Sequence, residues 1–142
     1  MAAPRENVIA ALEATVHRVL DHLAAELTDL KLTQGEINAL ALLQPAAPVT
    51  VAALQAATGQ RASTLTGVLD RLERRGLVER ALNPRDRRSF VVSLTDAGAA
   101  AASRVRQAFA RLEREAASGV PRRSLDGFYE VLEHLDGLTA RS

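Results

Sequence analysis

The segment from residue 50 to residue 95 places the tightest limits on how this chain can fold. A short helix is predicted from Val51 to about Ala57, with Thr50 as its N-cap and Gly59 as the turn after it. A longer helix is predicted from about Gln60 to Arg75, and Gly76 follows it where a left-handed residue is expected. The inward face of this longer helix carries leucines at helical spacing: Leu65, Leu69 and Leu72.

Two strands are predicted directly after the longer helix. The first covers Leu77–Arg80, a turn covers Asn83–Asp86, and a returning strand rich in β-branched and aromatic residues covers Ser89–Leu94. Helix, glycine turn, longer helix and two-stranded ribbon, in that order, are the layout of a winged helix-turn-helix. In that fold the second helix of the motif enters the major groove of DNA.

Helices are predicted on both sides of this segment. One runs from about Glu6 to Leu30, and the next begins at a capping box in which Thr33 is followed three residues later by Glu36. Pro45 and Pro48 end that second helix. Thr95 caps a long helix to about Ala117, and a last helix follows Pro121. The fold class expected is mainly α with a small β-hairpin wing, within a single domain of residues 1–142.

The outward face of the longer helix carries short polar side chains first and arginines later. At 100° per residue, Ser63, Gly67, Asp70 and Arg74 oppose the leucines, and Thr64, Thr66 and Arg71 flank them. Hydroxyls suit base edges and arginines suit phosphates, so these residues, with Arg61 at the helix start, are the expected DNA contacts. The alternative is an ordinary surface helix with charge pairs such as Asp70 with Arg74.

Positive charge is concentrated where DNA contact is expected. Residues 50–95 contain eight arginines and four acidic residues, a net charge of +4, whereas the rest of the chain carries a net charge of −3. Three arginines crowd the predicted hairpin tip, and without an anionic partner they would repel one another. A merely solvated turn is the alternative. The expected wing contacts are Arg85, Asp86, Arg87 and Arg88.

Composition argues against several other classes of protein. The chain of 142 residues has no cysteine, which removes disulfides and thiolate zinc sites. Neither a P-loop nor a dinucleotide-binding glycine pattern is present, so we expect no enzyme, no cofactor and no catalytic site. The histidines form no metal-ligating set, so no metal site is expected: His17, His22 and His134. No signal peptide or long apolar run is found, and a cytoplasmic location without membrane contact is expected.

Several short runs of the sequence resemble the MarR family of bacterial repressors. They are Ser63-Thr64-Leu65-Thr66, Leu69-Asp70-Arg71-Leu72-Glu73, Gly76-Leu77-Val78-Glu79-Arg80, Asn83-Pro84, Asp86-Arg87-Arg88 and Leu94-Thr95-Asp96-Ala97-Gly98. The most specific are the Asp-x-Arg of the wing and the Leu-Thr-x-x-Gly after it, at the spacing of the family. The resemblance extends over nearly the whole chain.

The resemblance implies a homodimeric regulator that binds double-stranded DNA. Residues 48–95 would form the DNA-binding lobe, and residues 6–30 and 96–140 would form the dimerisation helices. Arg88 would reach the minor groove, with Asp86 as its orienting partner. Many family members carry arginine where this chain has Gly67, which removes one expected contact and leaves room for closer approach to the groove.

The resemblance also implies a small-molecule effector. Family members often bind small aromatic anions in a crevice between the dimer helices and the DNA-binding lobe, and binding weakens their hold on DNA. No residue of this sequence is assigned to such a ligand. The expected function is a transcriptional regulator, and more specifically a repressor, on a pseudo-palindromic operator. The alternative is an architectural or nucleoid-associated DNA-binding protein without an effector.

Overall fold

The structure, a computed structural model, describes residues 7–140, which form two compact units. The first unit extends to Ala108 and the second begins at Phe109. The helices and strands follow one another as α1 (Val8–Glu26), a 3₁₀ turn (Thr28–Leu30), α2 (Gln34–Leu42), β1 (Val49–Thr50), α3 (Val51–Thr58), α4 (Ala62–Arg74), β2 (Val78–Asn83), β3 (Asp86–Leu94), α5 (Asp96–Ser118) and α6 (Arg122–Thr139). The predicted class, mainly helical with a small sheet, is confirmed.

The first helix ends earlier than the sequence pattern predicted. A single helix was expected to run to Leu30, but α1 ends at Glu26 and a 3₁₀ turn follows; the expected start at Glu6 lies outside the described residues. The Thr28 hydroxyl explains the change, because it donates to the carbonyls of Ala24 and Ala25. Such side-chain bonds compete with continuation of the helix. Lys31 then adopts a left-handed conformation, with φ of 52°.

The predicted helix caps of the central segment are confirmed. Thr33 and Glu36 form a capping box at the start of α2, and the Thr50 hydroxyl accepts from the N–H of Ala53 at 3.1 Å. Gly59 and Gly76 both adopt positive φ, as their positions after α3 and α4 require. These local signals fix where each helix of the motif begins and ends.

Helix α4 begins two residues later than predicted. Gln60 and Arg61 were placed on the helix, but Arg61 is its N-cap, with extended dihedral angles, and Ala62 is the first helical residue. Gln60 is held outside the helix because its N–H donates to the Thr58 hydroxyl and its amide nitrogen donates to the carbonyl of Gly35. Arg61 therefore lies at the entrance of α4 rather than on its face.

The sheet contains one more strand than the predicted hairpin. Its antiparallel order is β1-β3-β2, and β1 pairs Val49 with Val92 and Thr50 with Val91. The predicted four-residue tip is shorter, because Asn83 pairs with Asp86 and only residues 84–85 form the turn. Next to this pair the register shifts and Leu82 faces Phe90, so residues 87–89 have no register partners on β2 and form a bulge in β3.

A single apolar core supports the first unit. Its fully buried side chains come from α1 through α5 and the sheet: Leu27, Ile37, Leu40, Leu43, Leu54, Leu65, Val68, Leu69, Leu72, Val78, Val92 and Val105. The inward leucines predicted for α4 are all among them. Because one side of α4 packs tightly into this core, the position of the helix is fixed and its opposite side is exposed to solvent.

The second unit has no buried residue among residues 109–140. Large apolar side chains of α6 are exposed instead: Phe128, Tyr129, Val131 and Leu138. None of the helices in residues 7–140 is long and apolar enough to cross a membrane.

Candidate nucleic-acid interface

The outward side of α4 combines exposed hydroxyls with a bare stretch of backbone. Ser63, Thr64 and Thr66 are exposed, as predicted, and Thr66 donates its hydroxyl hydrogen to the carbonyl of Ala62 at 2.9 Å. A Cβ added at Gly67 would meet only Nη1 of Arg71, at 3.5 Å, an ordinary contact distance. The middle of α4 therefore presents small groups that leave room for a close neighbour.

One flank of α4 is tied to α2 through a buried carboxylate. Glu36 is only 2% exposed, and its oxygens accept from Nε of Arg71 at 3.1 Å and from Nη1 of Arg75 at 3.4 Å. Arg75 also donates to the carbonyls of Leu30 and Lys31. Arg71 was predicted as a DNA contact. In the structure its Nε pairs with Glu36, while its Nη groups bond to none of residues 7–140.

The other flank of α4 is tied to the wing. Arg80 of β2 donates to Glu73 at 2.6 Å and also to Asp70. Hydrogen bonding to Glu73, and then to Asp70, holds the pKa of Arg80 above its usual value despite partial burial. The pairing of Asp70 with Arg74 that an ordinary surface helix would show is not formed, because Asp70 faces Arg80 instead.

The wing carries three arginines whose guanidinium groups have no partner among the described residues. Arg85, Arg87 and Arg88 are exposed, and their guanidinium groups bond to none of residues 7–140. Asp86 was expected to orient Arg88. It does contact Arg88, but through the main chain, because its Oδ1 accepts from the Arg88 N–H at 3.0 Å. Asp86 thus fixes the backbone of the bulge and leaves the guanidinium able to turn.

The structure brings the helix and the wing together around one cleft. The cleft has a volume of about 680 Å³ and lies between α3, α4 and β3, with Thr66, Arg80, Arg88 and Phe90 among its lining residues. Arg61 and Arg74 lie at opposite ends of α4 and, like the wing arginines, have no partner in the described part of the chain. Of the predicted contact residues, Thr66 and Arg88 line this cleft, whereas Arg71 and Arg74 line a separate cavity beside Glu36.

The histidines of α1 are engaged by neighbours on their own helix. His22 pairs with Glu26 at 3.3 Å, and Nδ1 of His17 lies 2.7 Å from the carbonyl of Glu13. Residues 7–140 contain no group of three histidine or acidic side chains placed to hold a metal ion.

Comparison with known proteins decides the family. A family model described as MarR family matches residues 32–90. The multiple antibiotic resistance protein MarR of Escherichia coli is 37% identical over 98 residues, which cover 66% of this chain and 68% of that protein.

This chain belongs to the MarR family. The resemblance noted in the sequence is therefore confirmed. Members of the family are transcriptional regulators rather than enzymes. The repressor NicR of Pseudomonas putida is 38% identical over 72 residues, covering 51% of this chain and 46% of that protein. The structure of BpsR from Bordetella bronchiseptica superimposes with a TM-score of 0.76 over 96% of this chain and 97% of that one; at 22% identity it supports the fold.

Sequence reasoning missed two residues that shape this MarR-family lobe. Glu36 was recognised only as a capping partner, and Arg80 was not singled out. The signal for Arg80 was present, because Asp70 and Glu73 are three residues apart and therefore lie on one face of α4, where they need a cation opposite. No comparable signal pointed to Glu36, whose arginine partners follow it by 35 and 39 residues.

Proposed function

We propose that this MarR-family chain is a repressor that binds double-stranded DNA sequence-specifically as a homodimer. One observation carries the proposal. Of the eight arginines in residues 50–95, five have guanidinium groups that bond to no residue of the described chain, and they lie at the two ends of α4 and on the wing: Arg61, Arg74, Arg85, Arg87 and Arg88. Unpaired guanidinium groups concentrated on one helix and its adjoining wing favour a polyanionic partner.

The helix and the wing would divide the work of recognition. Ser63, Thr64 and Thr66 would face base edges in the major groove, where hydroxyl and methyl groups distinguish bases. Arg88 would reach the adjacent minor groove, whose negative potential attracts an inserted arginine. Asp86 supports this role, because it fixes the backbone of the bulge from which Arg88 projects.

Exposed apolar side chains support the homodimer. Along α1, Val8 is 57% exposed and Ile9 is 51% exposed, and α6 exposes Phe128, Tyr129 and Leu138. Apolar surface on this scale favours association. A symmetric dimer would place two copies of α4 about 34 Å apart, so that they occupy successive major grooves on one face of a pseudo-palindrome of about 16–20 base pairs.

A cleft of the first unit fits a small aromatic anion as the releasing effector. It has a volume of about 280 Å³, apolar walls that include Leu30, Leu32 and Leu77, and two arginines, Arg75 and Arg104. Arg104 already pairs with Asp29, so Arg75 is the cation that an anionic ligand would meet. The DNA binding of BpsR is regulated by 6-hydroxynicotinic acid. An aromatic carboxylate in this cleft would contact Arg75, which also pairs with Glu36 beside α4. Ligand binding would therefore change the contacts that position α4, the helix proposed to enter the major groove.

Selection of bound genomic fragments, followed by footprinting, tests the proposal. We expect a two-fold symmetric footprint and a particle of about twice the chain mass of 15.2 kDa. Addition of aromatic carboxylates to the complex then tests release. A stable monomer, or a footprint confined to one groove without symmetry, would contradict the homodimer on a pseudo-palindrome. Equal affinity for all sequences would contradict a specific operator.

A further inference from the structure

A cluster of four basic side chains lies on the α2 side of α4 and includes no residue of the wing; one of the four, Arg74, also borders the outward face of the helix. Lys31, Arg71, Arg74 and Arg75 line an open cavity of about 390 Å³, together with Glu36. We call these five residues the α2-flank cluster. Lys31 precedes the residues 32–90 that the family model matches, so it belongs to the connection before α2 rather than to the matched motif.

The charge of the α2-flank cluster is strongly unbalanced. Glu36 is the single acidic residue among the five, and it is buried behind Arg71 and Arg75. The ammonium of Lys31, the whole guanidinium of Arg74 and the Nη groups of Arg71 bond to nothing in residues 7–140. Several hydrogen-bond donors with a net positive charge therefore line the cavity. Such an arrangement is suited to an anion.

Lys31 is held in place at some cost to its backbone. Its φ of 52° is a left-handed conformation that side chains other than glycine and asparagine rarely adopt. Arg75 stabilises this conformation by donating to the carbonyls of Lys31 at 3.1 Å and of Leu30 at 2.7 Å. The same arginine that pairs with Glu36 thus fixes the main chain from which Lys31 projects.

The geometry points to a phosphate of the DNA backbone as the occupant of this cavity, and we propose that the α2-flank cluster is a second phosphate site. Arg71 and Glu73 are two residues apart, about 200° around the α4 axis, so the cluster and the wing lie on opposite flanks of α4. A helix about 10–12 Å in diameter fills a major groove about 12 Å wide, so both of its flanks meet phosphate walls. The arginines of the wing would lie near the phosphates of one wall, and the α2-flank cluster would contact a phosphate of the other. The inference rests on the proposed DNA binding.

The composition of the chain offers a direct probe. Lys31 is the only lysine among 18 basic residues. Reductive methylation with ¹³C-formaldehyde retains the positive charge and labels Lys31 and the terminal amine, and the Lys31→Arg variant identifies the Lys31 signal by its loss. Titration with the selected operator duplex should shift that signal to saturation at one duplex per dimer. Inorganic phosphate up to 10 mM, as an order-of-magnitude ceiling, should leave it unshifted, because the cavity is open to solvent and screened by salt.

Affinity measured across a salt series supplies the second readout. Lys31→Asn removes the charge but tolerates the left-handed backbone, and it should lower the salt slope by about 0.9 per half-site and the affinity about fivefold per half-site near 0.15 M salt. Lys31→Arg should retain both. Arg114→Gln is the matched control, because it removes one exposed charge from the second unit and should change neither. Equal melting temperatures for all four proteins verify that folding is unaffected.

The failures of the inference and of the proposed function are distinguishable. If the protein binds its operator while Lys31→Asn keeps the full salt slope and the labelled signal stays unshifted, the phosphate site is wrong and the DNA-binding function stands. If phosphate shifts the signal and DNA does not, the cavity is a small-anion site and the inference is overturned. If the unmodified protein binds no duplex, the proposed function fails and the inference falls with it.

Discussion

The Cα of Gly98 lies directly against the main-chain carbonyl of Leu77. A Cβ at Gly98 would lie 1.7 Å from the Leu77 oxygen and 2.7 Å from its carbonyl carbon, far inside any allowed contact. Thr95 bonds to both partners of this contact. Its N–H donates to the same Leu77 oxygen at 3.1 Å, and its hydroxyl accepts from the Gly98 N–H at 3.0 Å. The Leu-Thr-x-x-Gly run therefore attaches the first turn of α5 to the connection between α4 and β2.

Gly98→Ala is expected to destabilise the protein by about 3 kcal/mol, because backbone atoms rather than a flexible side chain must move to admit the methyl group. Urea unfolding measures the loss. Gly137→Ala is the control, since a Cβ there meets nothing within 4 Å and should stabilise α6 by up to about 1 kcal/mol. Similar unfolding free energies for the two variants would contradict the close approach.

Elements with strong local signals could be predicted from the sequence. Thr33, Thr50, Gly59 and Gly76 act through neighbours a few residues away, so the starts of α2 and α3 and the ends of α3 and α4 were predicted correctly. The Asp-x-Arg and Leu-Thr-x-x-Gly runs identified the family for the same reason. Each run requires a particular local backbone geometry, and its residue types and spacing are visible in the sequence itself.

Features that depend on distant residues could not be predicted. The two-residue strand β1 exists only because it pairs with β3, more than 40 positions along the chain. The burial of Glu36 depends on arginines that follow it by 35 and 39 residues, and the left-handed turn at Lys31 is stabilised by Arg75 from a similar distance. Periodicity and capping carry no information about such contacts, because both act within one or two turns.

Removal of the buried carboxylate should destabilise the first unit. Glu36→Ala leaves Arg71 and Arg75 without their partner and removes half of the capping box, with an expected loss of about 2 kcal/mol. The loss is limited because both arginines are about 40–45% exposed and can regain water. Glu36→Gln should lose less, since it keeps an acceptor. Glu79→Ala, at an exposed position of β2, should stay within about 0.5 kcal/mol of the parent, and an equal loss there would exclude a special role for Glu36.

The ion pair between Asp29 and Arg104 should make stability depend on acid pH. Two hydrogen bonds from Arg104, at 2.9 and 3.0 Å, hold the pKa of Asp29 below its usual value. A lowered pKa in the folded state means that the contribution is complete above the unfolded-state pKa and is lost as pH falls through the folded-state pKa. NMR titration should show the pKa of Asp29 returning toward its usual value in Arg104→Gln or in high salt, but not in Arg114→Gln. An unchanged Asp29 titration in Arg104→Gln would rule out the pair as the cause.

Arg80 is expected to influence DNA binding through the wing rather than by direct contact. Its bonds to Glu73 and Asp70 attach β2 to α4, and it shares a cleft with Arg88. Arg80→Met should therefore weaken operator binding in the parent and have little further effect in an Arg88→Ala background. A coupling of about 1 kcal/mol in this double-mutant cycle is the expected result. Strictly additive losses would indicate that Arg80 contacts DNA on its own.

The last prediction separates the duties of the wing and the recognition helix. Arg88→Ala should weaken binding to most operator variants together and lower the salt slope by about one per half-site, because a phosphate-lined minor groove attracts its charge whatever the major-groove sequence. Thr64→Ala removes no charge, so it should cost less affinity but change the ranking of operator variants, since a hydroxyl and a methyl group are lost from the major-groove face.

Both variants are measured against the same panel of operators across a salt series, with Arg114→Ala as the charge-matched control in the second unit. If Arg88→Ala behaves like Arg114→Ala, the wing makes no DNA contact, and the unpaired guanidinium of Arg88 needs another partner. If Thr64→Ala weakens every operator by the same factor, α4 still binds the groove but Thr64 does not read bases. The remaining hydroxyls, those of Ser63 and Thr66, then become the residues to replace. Thr66 already donates to Ala62, so it can offer DNA only acceptor and methyl contacts, which favour different base edges from those a free hydroxyl would select.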